Sequence, residues 1–325
     1  MHILIVRNNS NPQAAGASLL LASYLASQGI GHSLLDASEL CIANEARHRE
    51  ELAAKGPGLV VVLGGDGSVL RSARLAHASS SPILGINFGH LGFLANSSED
   101  GVVAIVAAAL CGDIVCERRA NLRIDVECIG DGEGDGREDG DEGFAGGGGG
   151  DGAQSPESML FDSGIVPVGS SGTKGRRSFF ALNEIALTRG PDGRVIEFTF
   201  GISDASIARI RGDGLVVATA TGSSAYALSA GGPLASPDFQ GMIVVPVAPH
   251  TLAARPIITA SHDVVEIDLR GSRNIRSAVL FVDGEPLGFE SPPARIWVRL
   301  GKEPTQLLRY KRQGFYEHAA QVFFK

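Results

Sequence analysis

The sequence lacks most of the signatures that would place it quickly. Its four cysteines, Cys41, Cys111, Cys116 and Cys128, form no CxxC pair, which leaves zinc and thiol-redox motifs unsupported. The start, MHILIV, is too short for a secretory core and is followed by Arg7, so the thiols read as reduced and the chain as cytoplasmic. The longest apolar run, Val102 to Leu110, is far short of the ~20 residues that a membrane helix needs, so no membrane partner is expected. There is no GxxxxGK[ST] loop, which excludes a P-loop kinase, and no strand-to-helix GxGxxG turn to support a Rossmann dehydrogenase. A basic face is missing too. The net charge is −8, and −7 of it comes from Gly130 to Gly152, where eight acidic residues meet one arginine. The remainder is nearly neutral, unlike a nucleic-acid binder.

What the chain does have is one stretch that organises the rest, Leu59 to Arg71, LVVVLGGDGSVLR. Its apolar run reads as a buried strand, Gly64 to Gly67 as a tight loop, and Ser68 to Ser79 as a helix. Glycines at this corner admit close backbone approach, and the amides at the helix start favour an anion such as a phosphate. Asp66 is then out of place, unless its carboxylate takes a proton from a hydroxyl beside that phosphate. The plainer alternative is a glycine-rich βα turn with an aspartate capping the helix.

Around this stretch the first half alternates strands and helices. Strands are expected at Ile3–Val6, Ser33–Leu35 and Pro82–Ile86, with helices at Pro12–Gln28, Asn44–Lys55 and about Ser98–Leu110. That order predicts an α/β domain with a parallel, Rossmann-like sheet over residues 1–120. Ligands of such sheets bind beyond the carboxyl ends of the strands, where Gly64–Gly67 and Gly85–Gly92 fall. From residue 121 the period shortens to two. Closely spaced strand-like runs, among them Phe179–Leu187, Val195–Ile202 and Leu215–Thr219, predict a β-rich second domain to about residue 300. Residues 301–325 are expected to return to the first domain and pack their last aromatics there. The segment from about 130 to 171, rich in Gly, Asp, Glu and Ser, has too little apolar surface to fold and reads as a disordered insertion in a hairpin.

Two more stretches look chemical. Leu182-Asn183-Glu184 offers donors and acceptors suited to sugar hydroxyls, or else an edge turn. Gly212 to Tyr226 ends a buried strand in a run of small hydroxyl residues, suited to a purine edge or a phosphate, or else to a helix cap. Together with GGDGSVLR at Gly64–Arg71 and GINFGHLGFL at Gly85–Leu94, they complete an ordered set. The set continues with LNEIALTRG at Leu182–Gly190, GDGLVVATATGSSAYALSAGGPL at Gly212–Leu234 and PHTLAARPI at Pro249–Ile257. This set resembles the NAD kinase family and covers nearly everything but the acidic insertion.

The resemblance implies an enzyme that phosphorylates the 2′-hydroxyl of the adenosine ribose of NAD, with its active site between the two domains. By the resemblance Asp66 is the proton acceptor, Gly67 belongs to the phosphate loop, and Arg71 can reach a phosphate. Phe93 lies where the family packs an aromatic on adenine, and Asn183 and Glu184 match the sugar-binding pair. Asp213 falls near the nicotinamide end. Thr221, Ser224, Ala225, Tyr226, Ala227, Leu228 and Ser229 match the segment that holds the adenosine part, and Ala248 sits at a matching strand end. Arg194 follows the turn Pro191-Asp192-Gly193, where the family often has a basic residue that can serve a neighbouring subunit. The resemblance also implies ATP or polyphosphate as donor, Mg²⁺ carried on the nucleotide's phosphates, and a homo-oligomer. A related lipid or sugar kinase, or a non-catalytic dinucleotide sensor, is the competing expectation.

Overall fold

The computed structural model describes residues 1–44, 47–48, 56–89, 92–130, 176–311 and 314–324. The chain begins with β1 (His2–Arg7), α1 (Pro12–Ser27) and β2 (Gly31–Asp36). Asn11 starts α1 by accepting the amides of Gln13 and Ala14, with Pro12 at the first helical position. Then come β3 (Leu59–Leu63), α2 (Asp66–Ser79), β4 (Ile83–Asn87), β5 (Asn96–Ser97) and α3 (Val102–Cys111). The five residues of β3 are all buried, because helices cover both faces of the sheet.

The first sheet runs β2-β1-β3-β4-β19-β6, with β5 beside β4. Here β6 is Val115–Arg119 and β19 is Thr305–Arg309, so the chain end supplies an interior strand of the first domain. β19 lies parallel to β4 and antiparallel to β6. Alternate side chains separate the two faces. Ile3, Ile5, Val61 and Leu84 pack with Leu21 and Leu25 of α1 and Ile105 of α3. Leu4, Val6, Val60 and Val62 pack with Val69 and Ala73 of α2. This second cluster also takes in Phe180 and Leu182, so the core under α2 is shared between the domains.

The second domain stacks two antiparallel sheets. One runs β11-β10-β15-β18-β7-β8 and consists of β7 (Leu122–Cys128), β8 (Arg176–Ala181), β10 (Ile196–Ile202), β11 (Ala205–Gly212), β15 (Val265–Asp268) and β18 (Pro293–Leu300). The other runs β14-β13-β12-β9-β16-β17 and consists of β9 (Glu184–Arg189), β12 (Gly214–Ala218), β13 (Ile243–Val247), β14 (Ile257–Ile258), β16 (Ala278–Val282) and β17 (Glu285–Pro286). One apolar cluster, including Ile124, Phe198, Leu215, Val244 and Ile296, fills the space between them. The short helix α4 (Tyr226–Ser229) covers the outer face of the second sheet through Ala227, and α5 (Phe315–Phe323) closes the described chain. Among the described residues no helix is long and apolar enough to cross a membrane.

Four sequence expectations need correction. Helix α2 starts at Asp66, two residues before the expected Ser68, because extended Gly65 serves as its N-cap. Helix α3 starts at Val102 and not near Ser98, since Gly101 has a left-handed φ of 81°. The single run Phe179–Leu187 is two strands, β8 and β9, in different sheets and broken at Leu182-Asn183. Strand β11 was not expected; it is an edge strand with exposed arginines, and its weak alternation hides it. The expected helix Asn44–Lys55 and the acidic insertion lie almost wholly outside the described residues, although β7 and β8, which flank the insertion, pair antiparallel.

Candidate functional site

The site is built on the carboxyl edge of the first sheet. After β3 the chain turns through Gly64, where a Cβ would stand 2.7 Å from the Ser68 hydroxyl, and enters α2. Gly65 caps α2 without any side-chain hydrogen bond, and while the Ser68 amide donates to the Gly65 carbonyl at 2.9 Å, the amides of Asp66 and Gly67 have no intrahelical acceptor. They lie where an anion would be held. The Asp66 carboxylate makes no capping hydrogen bond to its own helix. Instead its Oδ2 accepts the Phe93 amide at 2.7 Å and its Oδ1 the Leu94 amide at 3.1 Å. A carboxylate has about four acceptor positions, so each oxygen keeps one for a ligand. Gly92 must be glycine in this arrangement, since a Cβ there would collide with the Asp66 carboxylate. Asp66 is half-buried and Gly67 exposed. Arg71 follows on α2 with its Nε buried and without a hydrogen-bond partner among the described residues.

The Asn183-Glu184 turn approaches α2 through the shared core, as its neighbour Leu182 packs with Val69 and Ala73. Asn183 Oδ1 and Glu184 Oε2 are both buried and lack hydrogen-bond partners among the described residues. Burial, and secondarily the nearby Asp283 carboxylate, raises the Glu184 carboxyl to about 8, while the Tyr226 amide pulls the other way. Glu184 is therefore neutral near pH 7, able to donate as well as accept. The turn is stitched to the hydroxyl-rich segment: the Thr219 amide donates to the Asn183 carbonyl at 2.8 Å, and the Thr219 hydroxyl donates to the Leu182 carbonyl at 2.7 Å. Gly222 packs so tightly on Asn183 that a Cβ would overlap its backbone. Thr221 to Ser224 form a 3-10 turn leading into α4; Tyr226 is exposed, Ser224 and Leu228 half-buried, Ala227 buried, and Ala225 and Ser229 line the same bend.

Several contributors carried no signal in the sequence. Asp283, in the two-residue turn between β16 and β17, accepts the amides of Leu182, Asn183 and Glu184 at 2.9, 2.8 and 3.2 Å. Glu117 accepts from Arg119 at 2.6 Å and from Arg309 at 3.0 Å. Against the cost of burial, these two guanidiniums hold it below the usual carboxylate range. Arg309 continues to the Phe93 carbonyl at 2.5 Å, and Arg119 to the Thr221 hydroxyl at 3.4 Å. This network joins the Phe93 loop to the Thr221 turn along one wall of a cavity of about 680 Å³. Only a knowledge of how β6 and β19 pair could have found it.

Phe93 is half-buried and lines that cavity. Its ring stacks on Phe323 of α5 at 5.7 Å and meets His318 edge-on at 4.6 Å. The expected adenine platform is thus in contact with the C-terminal helix. Three expected residues lie elsewhere. Asp213 pairs with Arg189 at 3.0 Å, Arg194 is an exposed side chain 3.8 Å from Asp192, and Ala248 has a left-handed φ of 42° in the loop after β13. They gather at the Gly214 end of β12, whereas Glu184 pairs with Ala218 at the other end. Four residues of strand separate the two groups by ~13 Å.

Residues 5–114 match the ATP-NAD kinase N-terminal domain and residues 182–310 the ATP-NAD kinase C-terminal domain. The chain is 30% identical to an NAD kinase of Heliobacterium modesticaldum, an alignment covering 87% of this chain and 84% of that protein. It is 29% identical to NAD kinase 2 of Streptomyces coelicolor, over 99% and 93% respectively. The fold is similar to that of yeast NADH kinase complexed with NADH, with a TM-score of 0.73 at 18% identity, over all of this chain and 87% of that one. It is also similar to an NAD kinase from Archaeoglobus fulgidus in complex with ATP, with a TM-score of 0.62 at 20% identity, over all of this chain and 98% of that one.

Proposed function

This chain belongs to the NAD kinase family, and from that premise we infer that it phosphorylates NAD at the 2′-hydroxyl of the adenosine ribose, taking the phosphoryl group from ATP. The observation that carries the mechanistic reading is the Asp66 carboxylate, set beside the open amides at the head of α2 and fixed by Phe93 and Leu94. Phosphoryl transfer depends mainly on positioning and charge stabilisation. The 2′-hydroxyl faces Asp66, which takes its proton as the oxygen attacks the γ-phosphorus and ADP leaves. Amides of the first turn of α2 steady the phosphates, and Arg71 offers a cation one turn on. Asn183 and Glu184 bind sugar hydroxyls with the acceptors they leave unpaired.

Among the described residues no three His, Cys, Asp or Glu side chains converge to hold a metal ion. Magnesium carried on the phosphates of ATP would offset charge on the transferred group. Asp213 and Ala248 serve the far end of the dinucleotide, and Arg194 reaches a second copy of the chain in a homo-oligomer. The free thiols fit a cytoplasmic location.

The test is a panel of donors and acceptors with the purified protein. ATP with NAD should give NADP, its new phosphate located on the 2′ position by phosphorus–proton NMR coupling. Polyphosphate and NADH complete the panel and set the breadth of each site. Absence of NADP, or a phosphate on another hydroxyl, would remove the proposal.

A further inference from the structure

We infer that Asp283 is a positioning residue for the dinucleotide, acting through Asn183 and Glu184. The inference rests on the proposed role of that pair. Between β8 and β9 the chain leaves one sheet for another, so Leu182 and Asn183 fall outside both ladders and Glu184 stands at the first position of β9, where its amide turns to Asp283. Buried amides without acceptors are costly, and here a single carboxylate collects all three. The Asp283 amide returns a bond to the Glu184 carbonyl at 3.0 Å. The turn is thus clamped from both directions, while the side-chain acceptors of Asn183 and Glu184 stay unspent.

The hairpin that carries Asp283 is itself anchored. Val282 pairs with Glu285, leaving Asp283 and Gly284 as a two-residue loop with φ of 48° and 79°. Both left-handed values belong to the turn type that favours Asp-Gly or Asn-Gly. Asparagine would therefore suit the turn equally well; what it could not do is accept three amides, since one carboxylate oxygen becomes an NH₂. Beyond the loop, Glu285 accepts from Arg74 of α2 at 2.8 Å and from the Ile42 amide at 3.1 Å. Arg74 lies on the helix that begins with Asp66. The hairpin consequently sets the sugar-binding pair in register with the helix that bears the proton acceptor.

The test is an NAD titration of wild type, Asp283→Asn, Asn183→Ala and the double variant, with the KM for ATP as internal control. Asp283→Asn should raise the KM for NAD about tenfold with kcat within about threefold. Added to Asn183→Ala, it should raise that KM by clearly less than tenfold, because the part of its effect that runs through Asn183 is already lost while the part through Glu184 remains. Additive effects, an unchanged KM in folded protein, or an equal change in the KM for ATP would overturn the positioning role. Asp283→Ser, smaller and retaining one acceptor, is the second variant. Failure of both to fold would make Asp283 a determinant of the fold and would also overturn it. A wild-type KM for Asn183→Ala would instead remove Asn183 from the dinucleotide site, taking this inference with it. A raised KM there, with none for Asp283→Asn, overturns the positioning role alone.

Discussion

Asp66 and Asp283 draw backbone amides from distant loops onto one carboxylate, one in each half of the molecule. Asp66 gathers Phe93 and Leu94, and Asp283 gathers Leu182, Asn183 and Glu184. The difference lies in what surrounds them. Asp66 opens a 14-residue helix whose first amides have no side-chain cap, so an anion can settle beside its remaining lone pairs. Asp283 sits in a hairpin loop, and desolvation raises its carboxyl to about 6 against the pull of its three amides. On the proposed reading the same chemical group faces a ligand in one place and organises other ligand-binding groups in the second.

Substitutions can break or sharpen that contrast. The largest effect is expected for Asp66→Asn, which should lower the initial rate of NADP formation about 10²–10⁴-fold at saturating substrates. Next comes Glu184, whose folded value of about 8 stands above its ordinary value of 4.5. The native state then holds a proton that the unfolded chain releases. The stabilisation is complete below about 4.5 and is lost as the pH rises through 8. Stability against thermal unfolding should thus fall from pH 5 to pH 8, by of order 3 kcal/mol, and Glu184→Gln should flatten the slope. Severing the link between the halves is the third case. Arg74→Met leaves Glu285 without its buried partner and should cost about 2–3 kcal/mol in denaturant unfolding. The smallest is Gly92→Ala, which forces the Phe93 loop off Asp66 and should cost about 1–2 kcal/mol along with part of the turnover.

The contrast also explains what could be read before the structure. Asp66 stands in a local pattern of strand, glycine loop and helix, and local patterns are visible in sequence. The same holds for the buried run of β3 and for the alternation of strands and helices around it. Asn183 and Glu184 were visible as residues, but the break in strand pairing that exposes them was not. Asp283 reads as an ordinary Asp-Gly hairpin turn, and its importance arises from amides about 100 residues away. Arg119, Glu117 and Arg309 come together only because β6 and β19 pair, with 192 positions between Glu117 and Arg309. The contact of Phe93 with α5 is equally non-local, linking residues 93 and 323. Long-range register, rather than any local propensity, decided these parts of the site.

The division of labour between the two aspartates is tested most directly by titrating NAD against Asp66→Asn and Asp283→Asn side by side, reading bound NAD and NADP formed in the same samples. The account predicts unchanged NAD affinity with collapsed turnover for Asp66→Asn, and weakened affinity with turnover largely kept for Asp283→Asn. Near-wild-type turnover in folded Asp66→Asn, or one shared kinetic signature for both variants, would contradict it.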